Sequence, residues 1–426
     1  MNGSSSSSCA RERFGVDGGR AWVVALVFLV VVAVLGAVLR WAQVRPVAGF
    51  DYGHWLHAHS HTAFLGFVFN AFFAFALARF IPAEARAGQR RLFVVLQVAV
   101  LGMLATFPVQ GYGPASIAFS TLHMGCAGVF AWRLWRARTA TPGGRAHLRV
   151  ALAALVLSGL GPLALGPLAA LGLRDSPAYA LCIYFYLHGQ YNGWFLFFLQ
   201  ALLLQSREGP GAARDDAGTR LALASASWQG AGLVLTLAQS TLWLAPPGWV
   251  HAVAAAGGVA QLIGAGYFAA AVRRQGGRAG EHAARAASPV VRTLGALAVA
   301  GWGLKLVLQT ASAAPGLEAW VNHRFVVIAF LHLVFLGVVT PALLAFACRE
   351  GWLRDTGGLR VALGVFFAAA AMSELVLVAV ALGWSPPWSP AGLLFVSSAL
   401  MAASAPVFFL NALGACKASG RAGDVG

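Results

Sequence analysis

Long apolar segments follow one another along nearly the whole chain, and they limit its possible folds more than any other feature. A helix that crosses the hydrocarbon core of a bilayer needs about 20 predominantly apolar residues. Only 10% of the 426 residues are charged, too few to cover the surface of a soluble protein. We therefore predict an all-α polytopic membrane protein with twelve transmembrane helices. The twelve apolar windows are 21–42, 55–81, 92–110, 115–136, 148–173, 178–205, 220–244, 249–272, 289–312, 322–347, 358–382 and 389–414.

Basic residues concentrate in alternate connections between these segments. Most of the 30 Lys and Arg residues lie in the terminal tails and in the loops after even-numbered segments. Because cytoplasmic loops carry an excess of Lys and Arg, both termini are predicted to be cytoplasmic, in a membrane of the bacterial inner (plasma) membrane type. Residues 1–20 and 415–426 would then be tails on a single domain over 21–414. The net charge is +16, and we expect the basic residues to interact with anionic lipid. No nucleic-acid partner is predicted.

Histidines follow the same alternation. Those outside the basic loops all lie in even-numbered segments or at their outer starts, namely His54, His57, His59, His61, His123, His188, His251, His323 and His332. Four of them lie roughly 9–15 Å from the outer ends of segments 2, 4, 6 and 10, at about 1.5 Å per residue. They are His61, His123, His188 and His332. Since imidazole ligates haem iron and copper, four imidazoles at one level indicate a haem or metal site. Hydrogen bonding to a neighbouring helix would explain each of them singly. His147 and His282, in basic loops, are expected to be solvated.

The start of the second segment is unusually rich in histidine. On a helix, His54, His57 and His61 share one face and His59 points elsewhere. A metal clamp on His57 and His61 is therefore an alternative to a haem role for His61.

Two ionisable residues, Lys305 and Glu374, lie inside apolar segments. They could pair with each other, or Lys305 could meet an anionic group such as a haem propionate. The alternative for Lys305 is snorkelling to the outer interface.

Three short motifs resemble the haem-copper oxidase superfamily, which includes subunit I of cytochrome c oxidases and the large subunit of nitric oxide reductases. They are HTAFLG at 61–66 with FIPAE at 80–84, HGQYNGW at 188–194, and FLHLVFLG at 330–337. The resemblance implies a bundle like that of subunit I and one low-spin haem b. His61 and His332 match the axial ligands of that haem, and His188 matches a ligand of the non-haem metal.

The departures from the family pattern concern the binuclear centre. Phe330 stands where the family has the histidine of the high-spin haem, and Asn192 stands where it has an acid. The histidine pair expected on the seventh segment is absent. Copper or iron at His188 would therefore need other partners, such as His123 or His323.

The resemblance implies electron transfer, or reduction of oxygen or nitric oxide at a degenerate second site with an incomplete binuclear centre. A cytochrome c or a quinol would be the electron donor, and an accessory subunit is a further possible partner. Two alternatives stay open. One is a haem- or copper-handling or sensing protein without turnover, with metal taken up at His54, His57, His59 and His61. The other is a secondary transporter, for which twelve helices is also a common number.

Overall fold

The computed structural model describes residues 17–137, 140–207, 215–384 and 389–423, except for the side chains of 276–286 and 419–423. Within these ranges the chain is helical and has no strand. Among the residues described, eleven helices are long and apolar enough to cross a membrane. We number the long helices α1 (Gly18–Val44), α2 (Tyr52–Arg79), α3 (Ala83–Gln110), α4 (Pro114–Arg136), α5 (Pro142–Ala170), α6 (177–207), α7 (Asp216–Leu244), α8 (Gly248–Ala286), α9 (Pro289–Ala311), α10 (Arg324–Arg349), α11 (Gly357–Ala381) and α12 (Pro390–Gly423).

The helix α6 is the one that falls outside the eleven. It joins an α-helix over Pro177–His188, a π-helix over Gly189–Phe195 and an α-helix over Leu196–Arg207 without a break. Polar residues in its middle lower its hydropathy, among them His188, Gln190 and Asn192. The structure thus confirms a polytopic helical protein, and a twelfth crossing stays a prediction.

The helix α5 begins six residues earlier than predicted. Thr141 caps it by accepting a hydrogen bond from the backbone N–H of Gly144, and Pro142 occupies the first turn, where its missing N–H is not needed. His147 therefore lies inside the helix and is fully buried. The prediction that His147 is solvated was wrong, because the basic loop is shorter than the charge pattern indicates. The side chain of His282 lies outside the described part of the chain.

Two compact units make up the chain, and the first runs to Phe130 and resumes at Leu343. It contains α1 to α3, most of α4, the end of α10, and α11 and α12. Within it, α1 packs against α2 and α12, and α12 packs against α11. The buried face of α2 is aromatic, with Phe69, Phe72, Phe73 and Phe75 almost inaccessible to solvent.

The second unit contains α5 to α9 and the first part of α10. Here α5 packs against α6 and α7, α7 packs against α8, and α9 packs against α10. Small residues mark the closest approaches, as is usual for helices in membranes. A Cβ atom on Gly301 of α9 would collide with the backbone carbonyl of Gly337 of α10.

Apolar side chains also line outward faces of the helices. On α3, Val94, Val98 and Leu101 are 51%, 51% and 55% exposed, and their spacing places them on one helix face. Such a face is stable in hydrocarbon and costly in water. The exposed apolar faces therefore contact lipid.

Candidate functional site

Three histidines of the predicted site share one local structure. His61, His188 and His332 each end an α-helical stretch and are each followed directly by a seven-residue π-helix. The π-helices span Thr62–Val68, Gly189–Phe195 and Leu333–Val339. Among the described residues these are the three π-helices of the chain. Because π-helical turns are rare and occur often at functional sites, their position marks these three histidines out from the others.

A glycine lies five residues after each of the three histidines, and at each one a neighbouring helix approaches closely. A Cβ atom on Gly66 would lie 2.9 Å from the ring of Phe28 on α1. One on Gly193 would collide with the Cβ atom of Ala154 on α5. At Gly337 the backbone carbonyl faces Gly301 of α9. Each π-helix is thus fixed against the long helix that precedes it in the chain.

His61, in the first unit, is held by one of its two ring nitrogens. Its Nδ1 lies 2.9 Å from the carbonyl oxygen of His57. Since a carbonyl can only accept a hydrogen bond, Nδ1 carries the proton and Nε2 keeps its lone pair. Nε2 makes no hydrogen bond with a described residue. Ligating histidines usually donate their other ring N–H in this way, so His61 fits an axial ligand of haem iron.

The neighbouring histidines on α2 divide between two faces, as their spacing predicts. The rings of His57 and His61 both pack on Phe107 and Tyr112, with 4.4 Å between the ring centroids of His61 and Phe107 and 4.5 Å between those of His57 and Tyr112. His59 points the other way, and its Nδ1 lies 3.1 Å from the carbonyl oxygen of Val32 on α1.

His123 of α4 lies close to His61 in the same unit. Its ring packs edge-on against Phe69, with 4.9 Å between centroids. The ring is buried, and its Nε2 has no partner among the described residues. A second imidazole with a free nitrogen therefore lies beside His61.

His188, in the second unit, uses both ring nitrogens within the protein. Its Nε2 donates to the carbonyl oxygen of Leu233, 2.8 Å away, and its Nδ1 lies 3.1 Å from the amide nitrogen of Asn192. A metal on this imidazole would have to displace one of these partners. The helix that supplies the Leu233 carbonyl is α7, the segment that lacks histidine.

The second unit also holds His332, His323 and Lys305. His332 immediately precedes the third π-helix, while His323 is exposed at the N-cap of α10, nine residues earlier. Lys305 is fully buried, and its Nζ has no hydrogen-bond partner among the described residues. It lies one helical turn beyond Gly301 on α9. Glu374 lies partly buried on α11, in the first unit.

The candidates for a second metal site are not gathered by the structure. Among the described residues, no group of three or more His, Cys, Asp or Glu side chains could hold a metal ion. His188 is occupied by protein partners and His323 faces solvent. The arrangement of these candidate residues therefore does not fit a second metal ion, while His61 fits an iron ligand.

Comparison with known proteins gives a fold and no family. No protein-family model matches the sequence, and no curated protein matches it. Among solved structures, the chain is similar to a heme-copper terminal oxidase dimer determined by cryo-electron microscopy. The TM-score is 0.61 at 14% identity, over 93% of this chain and 84% of that chain. The protein therefore has the helical membrane fold of a terminal oxidase.

Sequence reasoning missed the local repeat that the structure shows. The pattern His-x-x-x-x-Gly occurs at 61–66, 188–193 and 332–337, and also at 123–128, where α4 stays α-helical. Aligning these windows would have revealed the pattern, but not which of them becomes π-helical. The π-helices have no such signal, since their residues also suit an α-helix.

Proposed function

We propose that this protein is a membrane haem protein that transfers electrons through one low-spin haem b, with His61 and His332 as its axial ligands. The single observation that carries the proposal is the histidine before each π-helix, within a fold like that of a terminal oxidase. His61 supports it with a protonated Nδ1 and a free Nε2. The pairing of His61 with His332 rests on the motifs that resemble the haem-copper oxidases.

The bound haem would supply one-electron chemistry, and the chain's own residues would position it. The carbonyl of His57 orients the imidazole of His61, and the ring of Phe107 restrains it from one side. If both His61 and His332 held the iron, the haem would supply electron transfer in preference to gas binding. A cytochrome c or a quinol is the proposed donor, and an accessory subunit is a further possible partner. Lys305 and Glu374 are the proposed partners of haem propionates or of an ion pair.

The proposal includes the topology derived from the charge pattern. Twelve crossings, with α6 as the twelfth, place both termini on the cytoplasmic side of a bacterial inner membrane. Reduction of oxygen or nitric oxide would require a second, open iron. Phe330 offers no ligand for one, so turnover as an oxidase or reductase is not part of the proposal.

The test is an absorption spectrum of the detergent-purified full-length protein, reduced with dithionite minus oxidised in air. A sharp α-band is expected, and carbon monoxide is expected to leave it unchanged because no axial position is open. A shift with carbon monoxide would show an open iron and favour a reductase. A folded protein without haem would refute the proposal, and copper content and transport assays would then decide between the handling and transport alternatives.

A further inference from the structure

The chain around the end of α4 and the start of α5 is strongly basic and contains no acid. No Asp or Glu occurs between Glu84 and Asp175. Five arginines fall within 17 residues of this stretch, namely Arg133, Arg136, Arg138, Arg145 and Arg149. No acid on α4, on α5 or between them can therefore neutralise these guanidinium groups. Positive charge concentrated at one end of two membrane helices attracts anionic groups at the membrane surface.

Two of these arginines lie over tryptophan rings, within the second unit, to which residues 131–136 of α4 and all of α5 belong. The guanidinium carbon of Arg136 lies 4.4 Å from the centroid of the Trp132 ring. The guanidinium carbon of Arg149, on α5, lies 5.4 Å from the centroid of the Trp135 ring. A cation over the face of an indole ring is attracted by the π electrons of that ring. Each ring therefore orients the guanidinium group above it.

These four side chains are open to the surroundings, and we call them the arginine–tryptophan surface. Trp132 is 59% exposed and Trp135 is 44% exposed, and both arginines are exposed as well. No ion pair with a described residue includes Arg136 or Arg149. Tryptophan is enriched where a membrane protein crosses the headgroup level of the bilayer. The two rings, at the end of a membrane helix, therefore suit a position among lipid headgroups.

Farther along α5, the side of the helix that carries Arg149 is apolar. Val156, Leu160 and Leu163 follow Arg149 at intervals of seven, four and three residues, which keeps them on its face of the helix. Each of the three side chains is at least half exposed. They lie roughly 10–21 Å from Arg149 along the helix, at about 1.5 Å per residue. A ligand with a charged head and a long apolar tail fits this face, whereas a soluble acidic protein or a nucleic acid does not.

Guanidinium groups select the chemistry of the head. Arginine donates two parallel N–H groups to the oxygens of a phosphate, a geometry that lysine cannot reproduce. Trp132 and Trp135 lie one helical turn apart, with about 5–6 Å between their Cβ atoms, so one headgroup can reach both cations. A zwitterionic headgroup would bring its own ammonium group close to these cations. The surface therefore favours a phospholipid with a net negative charge.

We propose that the arginine–tryptophan surface binds one anionic phospholipid. Arg136 and Arg149 hold its phosphate, Trp132 and Trp135 hold the two guanidinium groups in place, and its acyl chains lie along the apolar face of α5. The site differs from a general attraction between basic loops and an anionic membrane, because it depends on the tryptophan rings as well as on charge. It does not rest on the proposed haem.

The test is native mass spectrometry of the full-length protein in detergent, with phosphatidylglycerol or phosphatidylcholine of the same acyl chains added. We expect phosphatidylglycerol to bind more tightly. Replacing Arg136 and Arg149 together with glutamine is expected to weaken its binding about twenty-five-fold, at about fivefold for each arginine near an anionic surface. Trp132→Leu keeps the net charge and an apolar side chain, and is expected to weaken binding about two- to fivefold because Arg136 loses its ring.

Arg91→Gln is the matched control, since Arg91 is exposed near the N-terminal end of α3 in the first unit. It removes one positive charge elsewhere and is expected to leave binding unchanged. Equal weakening in Arg91→Gln and Arg136→Gln, or unchanged binding in Trp132→Leu, would show a general effect of charge and overturn the site. Equal affinity for the two lipids would overturn it as well.

Glycerol 3-phosphate, which has no acyl chain, tests the part assigned to α5. We expect it not to displace phosphatidylglycerol at equal concentration. Displacement would show that a soluble phosphate is the ligand and would overturn the assignment to a lipid. The absorption spectrum of each sample reports haem separately, so a failure of the haem proposal is seen independently of lipid binding.

Discussion

The substitution His61→Ala is expected to abolish the reduced α-band, because it removes the imidazole whose Nε2 is free to ligate iron. His332→Ala is expected to do the same. With either ligand lost, the haem dissociates or becomes five-coordinate, and the low-spin spectrum disappears in both cases. The measurement is haem content per polypeptide together with the reduced-minus-oxidised spectrum of each purified variant.

His59→Ala is the matched control, two residues from His61 on the same helix. Its ring bonds the carbonyl of Val32 on α1 and faces away from His57 and His61. We expect the α-band to remain at wild-type intensity in this variant. An intact band in folded His61→Ala, or equal loss in His59→Ala, would show that His61 is not an axial ligand.

The second large effect is expected at Gly301. In Gly301→Ala the new Cβ atom would collide with the backbone carbonyl of Gly337, and backbone cannot move aside as a flexible side chain can. Overpacking of this kind destabilises by about 1–3 kcal/mol. Because Gly337 lies in the π-helix after His332, the haem spectrum is also expected to weaken. Thermal unfolding in detergent and the spectrum measure the two effects.

Gly303→Ala provides the control on the same helix. A Cβ atom there would meet nothing within 4 Å. Replacing this glycine with alanine is expected to stabilise α9 by roughly 0.5–1 kcal/mol, since alanine restricts the unfolded backbone. Equal unfolding temperatures for the two variants would contradict the close contact between Gly301 and Gly337.

The architecture could be predicted because it depends on hydropathy, which is local in the sequence. The apolar windows located eleven long helices, and the spacing of His57, His59 and His61 predicted which rings share a face. Short motifs indicated an oxidase-like fold, which the structural comparison supports.

The environment of each histidine could not be predicted, because it depends on atoms far along the chain. His188 is engaged by the carbonyl of Leu233, a group that no side-chain motif reveals. The Nε2 of the buried His147 hydrogen-bonds the hydroxyl of Ser225, which lies on another helix.

The central claim is that His61 and His332 hold one haem, and an experimental map of the purified protein tests it most directly. Cryo-electron microscopy of the full-length protein in a lipid nanodisc would show the density around both imidazoles. We predict one planar haem with its iron bonded to Nε2 of His61 on one face and to an imidazole nitrogen of His332 on the other. Well-resolved side chains with no haem between them, or a haem held by other residues, would contradict the account.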